Sequence, residues 1–312
     1  MLSIYPCVLI SALPEPYETL KLWWNAARPK TLLLSIGPVL VGNGLATQQQ
    51  FSLTVLTLSL TTAVLLQLLT NIANDYGDTK SGVDANRPGA PRQLQSGAIS
   101  LQQARRALYL LIALCLVSGS LLILLSSLFW HSKLLFFILG SISVIAATCY
   151  TLGSRPYGYR GLGDISVFLF FGLAAGAGSY YLQSQQLPFW IWLPAAAVGL
   201  LSVGVLNINN IRDMQLDLAA GKRTVALYLG KTVALTYFSS SWVIAMALTA
   251  SFALLTPYCW VLICLILIPF FLKLDRRLRL TSEFTNYNQC LVDMVKLTFT
   301  YELLFFTGSV LS

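Results

Sequence analysis

Charged side chains make up only 10% of this 312-residue chain, where a soluble domain carries about 25%. That deficit excludes a disordered chain and an ordinary soluble enzyme. Hydrophobic residues at 56% and a mean hydropathy of +0.70 point instead to a chain embedded in a bilayer. Histidine is nearly missing: the one copy, His131, follows Trp130 in a short loop. A catalytic histidine and a His-rich metal site are thereby nearly excluded. Any metal has to be held by oxygen, which favours a hard cation such as Mg²⁺. Cysteine offers no alternative. None of Cys7, Cys115, Cys149, Cys259, Cys264 and Cys290 forms a Cys-x-x-Cys pair, and most lie in apolar segments as small hydrophobes. No Lys or Arg occurs before Lys21, so the apolar start lacks the positive region of a secretory signal. Residues 1–30 are expected to be a retained cytoplasmic segment, ending in Trp23-Trp24 near the membrane surface.

What is present is a near-continuous series of apolar runs. About 20 mostly apolar residues cross a bilayer as a helix. Nine runs qualify, at 31–48, 51–75, 104–128, 133–152, 164–183, 189–209, 232–255, 257–273 and 291–311. The expectation is an all-α integral membrane protein, about nine transmembrane helices forming a single domain over 31–312. Charge sets the orientation. With the N-terminus inside, the inner segments and the span ends beside them hold 18 of the 20 basic residues. Lys133 and Lys296 are the other two. That bias predicts a cytoplasmic N-terminus, with the chemistry on the inner face. The net charge of +8 then reflects topology, not a nucleic-acid partner.

Two inner loops, 76–103 and 210–231, follow spans whose ends turn polar. Gln67, Asn71, Asn74/Asp75 and Asp78 recur at helical spacing as one stripe. Asp75 and Asp78 are three apart, so both carboxylates can face one ligand. Asp213 and Asp217 are four apart and share a face in the same way. An ionised Asp at the centre of a membrane helix costs about 2.5–3.5 kcal/mol, less near the end. Either cluster alone is nearly as well explained by a solvated helix end with capping acids. Two on one face are better explained by a shared ligand, and a diphosphate bridged by Mg²⁺ suits them. Asn74-Asp75-x-x-Asp78 and Asn209-Asn210-x-x-Asp213 also align at an offset of 135 residues, which suggests an internal duplication. Basic residues flank the acids: Arg28 and Lys30; Lys80, Arg87 and Arg92; Arg155 and Arg160; Lys222 and Arg223. Topology explains most of them, and some suit phosphate oxygens. Gly221-Lys222-Arg223-Thr224 is not a P-loop, because position 216 is Leu and no strand precedes it. Gly172, Gly176 and Gly178 read as close helix packing, not a nucleotide fingerprint.

These residues resemble the membrane-embedded aromatic prenyltransferases of the UbiA type. The likeness rests on Asn74-Asp75-Tyr76-Gly77-Asp78 and on Asp213 to Asp217. It extends to Ala27-Arg28-Pro29-Lys30-Thr31, Gly82-x-Asp84, Tyr150 through Pro156 with Gly161-Leu162-Gly163-Asp164, and Asn209 through Thr224. Within the family it is nearest to the branch that prenylates 1,4-dihydroxy-2-naphthoate in menaquinone synthesis. The general family has a further Asp four residues after Asp78, where this chain has Gly82, with Asp84 two residues later. The resemblance implies a helical bundle around a central cavity, with a polyprenyl diphosphate and an aromatic acid as substrates and lipid around the prenyl tail. It implies Mg²⁺ held by Asp75, Asp78, Asp213 and Asp217, with Asn74 and Asp84 as further candidates. Asn74, Lys80, Arg155, Lys222 and Arg223 would meet the diphosphate, and Tyr150 would face the allylic cation. Arg28, Lys30, Asn71, Asn210 and Arg160 are further substrate contacts. A sister enzyme with another acceptor (4-hydroxybenzoate, homogentisate, haem or a phytylated naphthoate) would carry the same motifs. A secondary transporter is the reading from another class. A lipid-head-group phosphotransferase lacks its Asp-Gly-x-x-Ala-Arg pattern here.

Overall fold

Helices follow one another with almost no other regular structure in the computed structural model, which describes residues 16–48, 51–82 and 92–312. A short α1 (Pro16–Ala27) leads into α2 (Pro29–Leu45), α3 (Leu53–Ser81), α4 (Leu101–Leu125) and α5 (Trp130–Cys149). The next rod is α6 (Gly163–Val167), a π-helical stretch Phe168–Ala177, and α7 (Gly178–Ser184). A 3₁₀ turn, Phe189–Ile191, opens into α8 (Trp192–Ala219), and α9 (Val225–Leu255) follows. A 3₁₀ run, Cys259–Leu267, continues as α10 (Ile268–Leu280), before α11 (Phe284–Leu311).

Among the described residues, six helices are long and apolar enough to cross a membrane. They are Leu53–Ser81, Leu101–Leu125, Trp130–Cys149, Gly163–Ser184, Phe189–Ala219 and Val225–Leu255. The other three expected spans fall on shorter or more polar rods. One is α2, with 17 residues. Another is the Cys259–Leu267 run with α10, and the third is α11, which carries Asp293, Lys296 and Glu302.

Local chemistry sets the helix ends. Ser52 caps α3 by accepting from the Val55 amide at 3.3 Å. Gly82 ends α3 at φ 76°, in the left-handed region that glycine adopts without strain. Ser100 and Gln103 form a reciprocal capping box on α4.

The bundle is drawn together by close backbone approach. A Cβ on Gly42 of α2 would lie 2.1 Å from the Gly176 carbonyl, and one on Gly172 would lie 2.6 Å from the Ala195 carbonyl. The π-helical stretch is therefore clasped between α2 and α8, as small residues allow inside membranes. Because the obstacle is backbone, Gly172→Val is expected to destabilise the fold by about 1–3 kcal/mol, read as a lower melting temperature in detergent. The main core joins α2, α8, α9 and α11, and a smaller one joins α1, α3 and α4. At one end of the bundle Trp190 meets Tyr180, Phe252 and Tyr258 at ring-centroid distances of 5.4, 5.7 and 5.9 Å. There the Tyr258 hydroxyl also donates to the Leu45 carbonyl at 3.1 Å. The aspartate motifs lie at the opposite end, where α3 and α8 finish.

Candidate active site

Asp75 and Asp78 occupy the last two turns of α3, and Asp213 and Asp217 the last two of α8. All four are buried, none more than 7% exposed. Buried carboxylates need partners, and each pair has its own. The Arg28 guanidinium contacts Asp75. Arg92 lies 3.3 Å from Asp75 and 2.8 Å from Asp78. The Tyr159 hydroxyl donates to the other Asp78 oxygen at 2.7 Å. On α8, Arg212 grips both oxygens of Asp213, at 2.7 and 2.6 Å. It also donates to the side-chain oxygens of Asn209 and Asn288. Lys222 pairs with Asp217 at 3.3 Å, while the second Asp217 oxygen is buried without a hydrogen-bond partner among the described residues.

A short relay joins the two motifs. The Lys222 ammonium sits 5.6 Å from the centre of the Tyr159 ring, a favourable cation–π placement. It thereby links Asp217 to the tyrosine that serves Asp78. The backbone reinforces this link: the Arg223 amide donates to the Tyr159 carbonyl at 2.9 Å. Arg160 and Arg223 face each other across that bridge.

Arg28 reaches Asp75 from the α1–α2 junction, where its φ is 51°, an unusual conformation for a side-chain-bearing residue. Asn71 holds the junction in place. Its amide donates to the Ala27 carbonyl at 2.7 Å and to the Thr31 hydroxyl at 3.0 Å. Gln67 orients Asn71 through a 3.1 Å bond. The stripe on α3 thus spends its deeper members on placing Arg28. Asn74 accepts from Thr151 at 3.1 Å, and Gly77 leaves room for Thr151, which lies 2.7–3.0 Å from where a Cβ would be. Tyr150 meets Tyr157 edge-on at 5.3 Å and packs against Gly158 and Gly163. It lies in the electrostatic field of Asp78, Asp164 and Asp217.

The structure therefore brings together Asp75, Asp78, Asp213, Asp217, Arg28, Asn74 and Lys222, with Tyr150 beside them and Asn210 buried on α8. Lys30, Lys80, Arg155, Arg160 and Arg223 are exposed around this end. Asp84 and Arg87 lie outside the described residues. Tyr159, Thr151 and the clamp made by Arg212 were not anticipated. The Arg212-Asp213 adjacency could have suggested the clamp; no spacing rule points to Tyr159.

Among the described residues no three His, Cys, Asp or Glu side chains gather as ligands for one ion. The donor set still fits a hard divalent cation. Mg²⁺ takes one or two carboxylates and fills its other positions with water and phosphate oxygens, and the unpaired Asp217 oxygen is such a donor.

Residues 35–287 match the UbiA prenyltransferase family. The 1,4-dihydroxy-2-naphthoate octaprenyltransferase of Haemophilus influenzae is 43% identical over 247 residues, covering 78% of this chain and 80% of its own. The enzyme of the same name from Escherichia coli (strain K12) is 40% identical over 293 residues, covering 93% and 95%. Among solved structures, a UbiA homologue from Archaeoglobus fulgidus bound to GPP and Mg²⁺ has a TM-score of 0.64 at 19% identity. The match covers 92% of this chain and 99% of that one. Another from the same organism is bound to Cd²⁺, also with a TM-score of 0.64. These solved structures share the fold. The family match and the two curated relatives run through both aspartate motifs and most of the chain, which belongs to the UbiA prenyltransferase family.

Proposed function

We propose that this chain transfers a polyprenyl group from polyprenyl diphosphate to 1,4-dihydroxy-2-naphthoate. Carbon dioxide and diphosphate leave, giving demethylmenaquinol for menaquinone synthesis. The names of the 40–43% identical relatives support the acceptor. The observation that carries the chemistry is the pair of buried aspartate motifs, joined through Lys222 and Tyr159 at one end of an apolar bundle.

Asp75, Asp78, Asp213 and Asp217 would hold Mg²⁺, which supplies the positive charge that makes diphosphate a good leaving group. Arg92 and Lys222, at 18% and 14% side-chain exposure, are partly open to solvent at this end. They turn from the carboxylates to phosphate oxygens when the substrate enters. Arg212, at 4% and bonded through all three of its nitrogens, stays as a support. Asn74 and Asn210 orient the acids. The exposed Lys80, Arg155 and Arg223 draw the diphosphate in from the cytoplasmic face, where long-range attraction works best at low salt. The Tyr150 ring stabilises the allylic cation. The electron-rich naphthoate ring attacks this cation, and loss of carboxylate restores aromaticity. No strong base is required, in keeping with a single, remote histidine. The prenyl tail lies along the apolar helices toward lipid.

Purified protein in lipid, given a long-chain polyprenyl diphosphate and a panel of aromatic acids, is expected to form a prenylated, decarboxylated naphthalene product. EDTA is expected to abolish it and added Mg²⁺ to restore it, with products read by mass. Prenylation of a different acid would move the acceptor and keep the mechanism. Folded protein that releases no diphosphate with any acceptor would overturn the reading.

A further inference from the structure

A largely open cavity of about 310 Å³ lies between α6 with the π-helical stretch, α8 and α9. That volume is at the lower end for small-molecule sites, roughly 300–1,000 Å³. Ile165, Phe168, Leu200 and Val203 form apolar walls, and Asp164 and Tyr237 make one polar end. Asp164 is 6% exposed, and one of its oxygens is buried without a hydrogen-bond partner among the described residues. The Tyr237 hydroxyl faces the same carboxylate. Gly161-Leu162-Gly163-Asp164 is also the motif that the transfer chemistry leaves unused.

Among the described residues, no Lys or Arg lines this cavity. An anion entering it would meet a carboxylate and no counter-charge, an unfavourable placement in low dielectric. A diphosphate or an aromatic carboxylate is therefore disfavoured. A neutral ring with a hydroxyl donor would satisfy the buried Asp164 oxygen and cover the apolar walls. The proposed reaction makes such a molecule: the acceptor enters as a carboxylate and leaves, after loss of carbon dioxide, as a neutral hydroquinone. The cavity is also close to the chemistry. A Cβ on Gly163, next to Asp164, would lie 2.8 Å from the Tyr150 hydroxyl and 3.4 Å from Leu206. Tyr150 in turn feels Asp78 and Asp217. On the other side, exposed Ile165 leads to the surface of the bundle, where a prenyl tail meets lipid.

We propose that this cavity is a product-side site, binding the neutral prenylated hydroquinone through Asp164 and Tyr237 and rejecting the carboxylated acceptor; it rests on the prenyl-transfer reading. The test is equilibrium binding of reduced 2-methyl-1,4-naphthohydroquinone to the full chain in nanodiscs, alongside Mg²⁺-diphosphate. Val203→Trp fills the cavity from its apolar wall, Asp164→Leu removes the acceptor, and Tyr237→Phe removes only a hydroxyl. Hydroquinone affinity is expected to fall about tenfold or more in the first two and a few-fold in the third. Diphosphate affinity is expected to stay within about twofold, the scatter of an uncoupled site. 1,4-Dihydroxy-2-naphthoate should not displace the hydroquinone. Unchanged hydroquinone affinity in both Val203→Trp and Asp164→Leu overturns the proposal, as does displacement by the naphthoate. An equal loss of diphosphate affinity also overturns it. A phospholipid retained by the parent and lost from Val203→Trp, with hydroquinone affinity unchanged, assigns the cavity to lipid instead. Binding that behaves as expected in a protein that forms no product would keep this site and reject the transfer reaction.

Discussion

Asp78→Asn is expected to lower product formation by roughly 10³-fold, the scale on which a single electrostatic contributor acts in a buried site. The substitution keeps shape and removes charge. Asp78 is the acid nearest the relay between the motifs, bonded to Arg92 at 2.8 Å and to Tyr159 at 2.7 Å. An asparagine oxygen can still accept from Tyr159, so the short 3₁₀ turn Tyr157–Tyr159 is retained. What is lost is the charge that, in the proposed mechanism, would hold a divalent cation for diphosphate, and extra Mg²⁺ should recover little of it. Product measured by mass spectrometry, beside a melting temperature in detergent, separates the two effects. Near-normal turnover from a folded Asp78→Asn protein would falsify the two-motif mechanism.

Arg212→Met is expected to act first on stability. The guanidinium is 4% exposed, bonded to both oxygens of Asp213, to Asn209 and to Asn288, and lies 5.1 Å from the centre of the Phe284 ring. It fastens the end of α8 to the start of α11. Methionine keeps much of the bulk but strips the buried Asp213 of its forked partner, a loss of about 3–5 kcal/mol when one half of a buried pair is removed. Lysine should rescue only part of this, because an ammonium cannot span two carboxylate oxygens and two amide oxygens at once. The double variant Arg212→Met with Asp213→Leu removes both charges and should recover much of the melting temperature without activity. If the double variant melts as low as the single one, the arginine acts by packing alone.

The sequence made the helical class, the polar stripe on α3 and the two aspartate pairs legible, because helical period and membrane cost act over a few residues. The 135-residue offset also has a structural counterpart: it carries α3 onto 188–216, against the rod Phe189–Ala219. Partnerships across long separations were hidden. Arg28 meets Asp75 across 47 positions and Tyr159 meets Asp78 across 81, and no local pattern records such distances. The basic residues were ambiguous for a different reason: a charge that orients a span looks the same in sequence as one that binds phosphate. In the structure they separate into the paired Arg28, Arg92, Arg212 and Lys222 and the exposed Lys30, Lys80, Arg155, Arg160 and Arg223. Asn71 carries a bond pattern of the same hidden kind: its amide donates to the Ala27 carbonyl and to Thr31, across 44 and 40 positions.

The knot of rings around Trp190 has a consequence for the cell that houses this protein. Tyr180, Phe252, Tyr258 and Phe305 close the bundle at the end away from the aspartates. A membrane that stores energy as an ion gradient tolerates no wet channel, and buried charges sunk into it invite water. Interlocked aromatic side chains at the far end leave water no path past them, so polar solutes approach the buried carboxylates from their own side alone. The polar end is thereby set apart from the far end, and charge can sit deep in the protein without opening a passage through it.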